Sequence, residues 1–319
     1  MQRHQSAAPA TGPAPPAQLT LGTAEWLLIM LHSVLWGASF FFGAVAIREI
    51  PSLTITGFRA IPASIIVVGV CLSMGLAIPL RAGYWGRMFV LGILNNIAPM
   101  LLILWAQHQV ASGVAAVFNA TTPLFVVVIA HFASADERFS WNKGLGLLVG
   151  IAGVSVLVGT NVTSGTTGGV LAKAALLAAA MCYALAGIFA RRTSREAPFV
   201  IAAGQLLAAL AMALPLALIV DRPFALPMPS AVAMGAVLGI GIFSSALASL
   251  VYFTVIKRAG ATNGLLVTLL LPITPLVLGA LFLGEHVSGR EFAGAGIIAL
   301  ALVILDGRLL RRLFDRRQV

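Results

Sequence analysis

Few side chains in this sequence could do chemistry, and most of those that could come in matched pairs. Arg59 is the one basic residue well inside an apolar run, about 12 Å of helix beyond Pro51. A guanidinium there can grip a substrate carboxylate through a bidentate fork. It can also snorkel toward the outer surface, or bond to helix carbonyls freed near a mid-span proline. Asn95 and Asn96 lie mid-run, and Ser244 and Ser245 occupy the matching place later in the chain. Such pairs either line a cavity or hold helices together through hydrogen bonds averaging about 0.6 kcal/mol. Asn119, Thr121, Thr122 and Gln205 are further polar residues of this kind.

Pro123 and Pro272 each interrupt an apolar run near its middle. Proline removes a backbone donor and frees carbonyls, which a membrane tolerates beside a cavity or a protein partner. The pair therefore reads as two broken helices flanking a substrate path, or as two packing kinks. Trp36 and Tyr183 could stack on a ligand or gate it, or serve packing alone. His32 lies inside a run and His131 near the end of one; a lone histidine is more often a packing residue than a relay. No GxxxxGK[ST] loop, HExxH, GxSxG or Cys/His metal spacing occurs. An enzyme, a cofactor and a metal are therefore not expected. Cys71 and Cys182 both fall inside apolar runs and should be free, packed thiols.

The elements that position these residues are stated twice. Pro123 recurs as Pro272, Ser140 as Ser288 and Gly146 as Gly294, at an offset of about 148 residues. The same spacing pairs Trp36 with Tyr183, Pro51 with Pro198, Gly57 with Gly204, and Gly92 with Gly241. With 60% hydrophobic and 9% charged residues, the chain cannot build a water-soluble surface. Its apolar runs reach the roughly 20 residues needed to cross a bilayer. They do not alternate as barrel strands would. The fold class expected is an all-α polytopic membrane protein.

Ten transmembrane helices are expected, over 22–45, 52–78, 84–106, 111–133, 142–160, 168–190, 197–220, 229–256, 261–283 and 290–308. Residues 1–20 form a disordered tail rich in Ala, Pro and Gln, with no signal peptide expected. A first repeat covers 21–160, a second 161–310, and a basic tail 311–319. Asp136-Glu137-Arg138 punctuates one connection, and a polar segment from Thr160 to Gly169 joins the repeats. Five spans per repeat is odd, so the second copy runs in the opposite sense, as in many secondary transporters.

With the N-terminus inside, fifteen of the 20 Lys and Arg residues fall on the inner side, the densest group being Arg308 to Arg317. Arg48, Lys173, Arg222 and Arg290 fall outside. Both termini are thus expected in the cytoplasm. The net charge of +10 is explained by these loops rather than by nucleic acid. Gly146, Gly150 and Gly153 give the fifth helix a small face, echoed by Gly294 and Gly296. Close helix contact is the first reading of that face and a homodimer seam the alternative. The ten acidic residues all fall in loops or at helix ends. Flux is therefore not expected to couple through a membrane-buried carboxylate, and His32 is the one mid-span candidate besides Arg59.

Trp36-Gly37 with Phe40, Pro51 with Arg59, Thr122-Pro123 with Glu137-Arg138, and Leu283-Gly284-Glu285 together resemble the EamA-type family of the drug/metabolite transporter superfamily. The resemblance covers nearly the whole chain after the tail. The first copy departs from it: Ala135-Asp136-Glu137 adds one residue before the acid. The resemblance implies ten helices in two inverted halves and export or exchange of small metabolites, often amino acids. The reading is a secondary transporter in the cytoplasmic (inner) membrane, its partners a small-molecule substrate and the lipid bilayer. The alternatives are a passive facilitator channel and a membrane receptor or scaffold without flux. Trp36, Arg59, Asn95, Asn96, Asn119, Pro123, Tyr183, Gln205, Ser244, Ser245 and Pro272 are the expected substrate-lining residues.

Overall fold

The computed structural model describes residues 22–133, 141–158, 167–259 and 267–306. The two tails, Asp136-Glu137-Arg138 and most of the expected joint between the repeats lie outside the described residues. Every regular element among the described residues is helical. The first two helices are α1 (Thr23–Ala46) and α2 (Ser52–Ser73). α3 comprises Ala82–Gly92, a π-helical turn Ile93–Ile97, and Ala98–Gln107. α4 is in two pieces, Ser112–Asn119 and Thr122–Ala133. Then come α5 (Trp141–Val158), α6 (Thr167–Thr193) and α7 (Pro198–Val220). α8 comprises Ala231–Gly239, a π-helical segment Ile240–Leu247, and Ala248–Ala259. α9 runs over Val267–Leu283, its last turn Gly279–Leu283 π-helical, and α10 over Gly289–Asp306. Seven of the described helices are long and apolar enough to cross a membrane; the apolar stretches Gly144–Leu157 and Val267–Leu283 are shorter.

The helix expected over 52–78 ends earlier, at Ser73, because Gly75 adopts φ 69°. There the Leu76 N–H donates to the Cys71 carbonyl at 2.9 Å and the Gly75 N–H to Leu72 at 3.0 Å. This pair of reversed bonds terminates a helix at a left-handed glycine, and Pro79 then prevents its resumption.

These helices are apolar all round, so hydrophobicity cannot choose which face turns inward. Size chooses instead. α7 buries Ala202, Ala203, Ala208, Ala209 and Ala213 while Leu216, Ile219 and Val220 remain exposed. Glycines then set the closest approaches. A Cβ at Gly57 of α2 would come within 3.0 Å of the α7 backbone at Leu214. α5 and α10 meet through Gly153 against Ile298 and Gly294 against Leu157. The small face of α5 is thus used inside the chain, as close helix contact.

Two neighbour relations recur. α1 packs on α8 and α9, while α6 packs on α3 and α4; α2 packs on α7, and α5 on α10. Exchanging each helix for the one five places away in chain order returns the same set of pairs. Cys71 and Cys182 are free thiols.

Candidate functional site

The two polar pairs singled out in the sequence sit in two of the three π-helical segments among the described residues. Asn95 and Asn96 belong to Ile93–Ile97, and Ser244 and Ser245 to Ile240–Leu247. A π turn widens the helix by one residue and redirects side chains, and such turns concentrate at functional sites. Each has a glycine at its start that packs tightly, Gly92 just before the first and Gly241 as the second residue of the other. A Cβ at Gly92 would come within 3.1 Å of the Ala209 backbone nitrogen, and one at Gly241 within 2.6 Å of both the Arg59 carbonyl and Pro62. α3 is thereby pressed on α7, and α8 on α2.

Arg59 lies between the two turns. One terminal nitrogen donates to Ser245 Oγ at 2.9 Å, and the other to the Asn96 carbonyl at 2.8 Å. The residue is 5% exposed, so it does not snorkel. The carbonyl it finds belongs to the π turn of α3, not to a mid-span proline. Its Nε and the Asn96 Nδ2 are buried and have no hydrogen-bond partner. Nearby, Asn95 Nδ2 donates to Gln205 Oε1 at 3.1 Å, and Ser244 Oγ to the Leu35 carbonyl at 2.6 Å.

The aromatic pair also meets. Trp36 and Tyr183 form an edge-to-face contact with centroids 6.0 Å apart, joining α1 to α6. His32 lies 5.6 Å from Trp36 and 5.3 Å from Tyr252. A carbonyl can only accept, so the 2.9 Å contact with Ala248 O places the His32 proton on Nδ1. Its buried Nε2 has no partner.

Pro123 and Pro272 mark real interruptions. α4 breaks at Ala120–Thr121, and α9 at Leu271–Pro272. At the first break threonine hydroxyls take up carbonyls: Thr121 donates to Phe118 at 2.6 Å and Thr122 to Asn119 at 2.7 Å. Asn119 is buried, with Oδ1 unpartnered. At the second break the Leu271 carbonyl faces α1, where a Cβ at Gly37 would approach it to 2.7 Å. The structure thus joins Arg59 with Asn96 and Ser245, Asn95 with Gln205, and Trp36 with Tyr183. Asn119 with Pro123, and Pro272, belong to the two separate helix breaks.

Contacts at the helix ends escaped sequence reasoning. Glu196, between α6 and α7, accepts from Arg81 and Arg87, each at 2.6 Å. Burial opposes its charge, but backbone N–H groups and the Arg81 guanidinium outweigh that and hold the carboxyl below its ordinary range. Glu49, between α1 and α2, accepts from the Ser230 backbone and hydroxyl at 2.6 and 2.7 Å. Those bonds hold its carboxyl below the ordinary range as well. Each acid follows one helix and ties down the start of another, α3 or α8. A loop glutamate is too common for sequence to single these out.

The model of the EamA-like transporter family matches this chain twice, over residues 24–159 and 170–305. The chain belongs to the EamA-like transporter family. Similar proteins include the uncharacterized inner membrane transporter YedA of Escherichia coli (strain K12), 25% identical over 85% of this chain and 87% of that protein. The uncharacterized transporter YoaV of Bacillus subtilis is 23% identical over 86% of this chain and 94% of its own length. Protein PecM of Dickeya dadantii is 25% identical over 89% and 91%. A crystal structure superposes with a TM-score of 0.65 and 20% identity, covering 91% of this chain and 99% of that one, which speaks for the fold. In this EamA-like transporter the first match takes in the π turn at Asn95-Asn96 and the second the one at Ser244-Ser245. The chain is a multi-pass membrane protein, and its relatives YedA and YoaV carry transporter names.

Proposed function

We propose that this EamA-like protein is a secondary transporter that moves small organic metabolites by alternating access, as an exporter or exchanger in the cytoplasmic membrane. The observation that carries the reading is the Arg59 bridge, which joins a π turn of the first family match to a π turn of the second. Transporter sites lie near the midplane between repeats, where irregular backbone is tolerated because it lines a path. Two π turns and two proline breaks at repeat-matched positions meet that description. The exchange of neighbours between α1–α5 and α6–α10 supports ten transmembrane helices in two inverted halves. In that arrangement α1–α4 and α6–α9 surround the path, and α5 packs on α10 at its outside. Both termini lie in the cytoplasm, in keeping with the distribution of basic residues.

Uptake into proteoliposomes tests this. Purified protein should equilibrate labelled metabolites across the membrane without ATP, and Pro123→Ala or Pro272→Ala protein that folds should do so more slowly. Tight vesicles that exchange nothing, with protein correctly inserted, would leave a receptor or scaffold as the reading.

A further inference from the structure

We infer that the Arg59–Asn96 pair is an oxyanion subsite, and that the transported solutes are carboxylates of net charge −1. The inference rests on the transport reading above and adds to it the charge class of the substrate. Arg59 gives its two terminal nitrogens to neutral acceptors, Ser245 Oγ and the Asn96 carbonyl. Neither cancels its charge. The described carboxylates stand at helix ends or in connections: Glu25, Glu49, Glu196, Asp221, Glu285 and Glu291.

Two buried donor nitrogens make no hydrogen bond, Nε of Arg59 and Nδ2 of Asn96, on residues that are 5% and 8% exposed. Buried donors seek acceptors, and a buried cation seeks an anion. A carboxylate is the acceptor that answers the guanidinium's charge as well as its unfilled edge, and it has a second oxygen to offer a neighbouring amide. One guanidinium neutralises one charge, so a doubly charged phosphate would carry an uncompensated charge into the site. A cation would meet Arg59 with repulsion, and a zwitterion would bring a positive group for which Arg59 is no partner. Because Arg59 holds Asn96 with one nitrogen and Ser245 with another, an anion at its Nε edge acts on the contact that joins α2, α3 and α8.

The test presents proteoliposomes with a carbon-13-labelled extract of water-soluble metabolites and identifies by mass spectrometry what enters beyond protein-free vesicles. Accumulated solutes should be predominantly carboxylates of net charge −1. Arg59→Lys, which keeps the charge but loses the planar fork, should reduce their entry about ten-fold. Asn96→Asp replaces the unfilled Nδ2 with a carboxylate oxygen on the residue whose carbonyl Arg59 already holds. It should keep the protein folded, with an unchanged or raised melting temperature, and reduce anion entry by a similar factor. Entry of zwitterions or cations alone would overturn the inference and leave the transport reading standing. So would native anion entry in the Asn96→Asp protein. Entry of nothing would instead bring down the transport reading, and this inference with it.

Discussion

Glu285 closes the N-terminus of α4 through Ser112. The Ser112 backbone N–H reaches the two carboxylate oxygens at 3.0 and 2.9 Å, and its hydroxyl reaches one of them at 2.7 Å. The acid of the Leu-Gly-Glu pattern thus fastens the end of α9 to the start of α4. An anion at a helix N-terminus satisfies orphan donors and faces the positive end of the dipole. Glu285→Ala should lower stability by about 1–2 kcal/mol. Gly279→Ala should do the same, since a Cβ there would run into the Glu285 carboxylate and lie 2.9 Å from the Ser112 hydroxyl. Melting in detergent measures both; native melting in the two variants would mean that the contact is incidental.

Glu196 makes stability depend on pH in the acid range. Its folded carboxyl is held below the ordinary value, so its contribution is fully present above about pH 4.5 and is lost as the pH falls through the folded value. Glu196→Gln should therefore melt lower than native protein at neutral pH, and the difference should close on acidification. Arg81 is 66% exposed, so salt should narrow the difference too. A gap that is constant from pH 7 to pH 3 would contradict this.

Gly204 leaves room for Tyr84. A Cβ at 204 would overlap the Tyr84 hydroxyl, which donates to the Val200 carbonyl at 2.8 Å. Gly204→Ala should cost about 1–3 kcal/mol. Tyr84→Phe removes the obstructing oxygen, so the double variant should lose less than the sum of the two single ones. Additive losses in a double-mutant cycle would show that the overlap is relieved elsewhere.

Dicyclohexylcarbodiimide, which attacks carboxyls in apolar surroundings, should leave transport largely intact. The described carboxylates sit at helix ends, and none accompanies Arg59 in its span. Labelling of one carboxylate with complete loss of flux would point to a proton-coupled site instead.

A cysteine placed after Arg317 should stay unreactive toward an impermeant thiol reagent in intact cells and react once the membrane is opened. Reaction in intact cells would reverse the orientation drawn from the basic residues.

Much of this protein was legible without coordinates. Pro123 and Pro272 pointed to broken helices, and the breaks lie at 120–121 and 271–272. The cause is local, because proline lacks the N–H that a helix requires. Trp36 and Tyr183 were paired by spacing and do touch. The π turns were not legible: Ile93–Ile97, Ile240–Leu247 and Gly279–Leu283 read as ordinary apolar helix, because one extra residue in a turn leaves no mark in composition. The end of α2 was overrun because hydropathy continues through Gly75, whereas the backbone reverses there.

The sequence by itself determined the medium and the family. Sparse charge and long apolar runs require lipid, and the family pattern is written twice along the chain. Only the tertiary structure decided which polar groups meet. Arg59 and Ser245 are 186 residues apart, and Ser112 and Glu285 are 173 apart. In helices that are apolar all round, no hydrophobic stripe announces the inward face. The meeting points are set by where small residues let backbones approach, as at Gly241 over Arg59, and by where a widened turn aims its side chains.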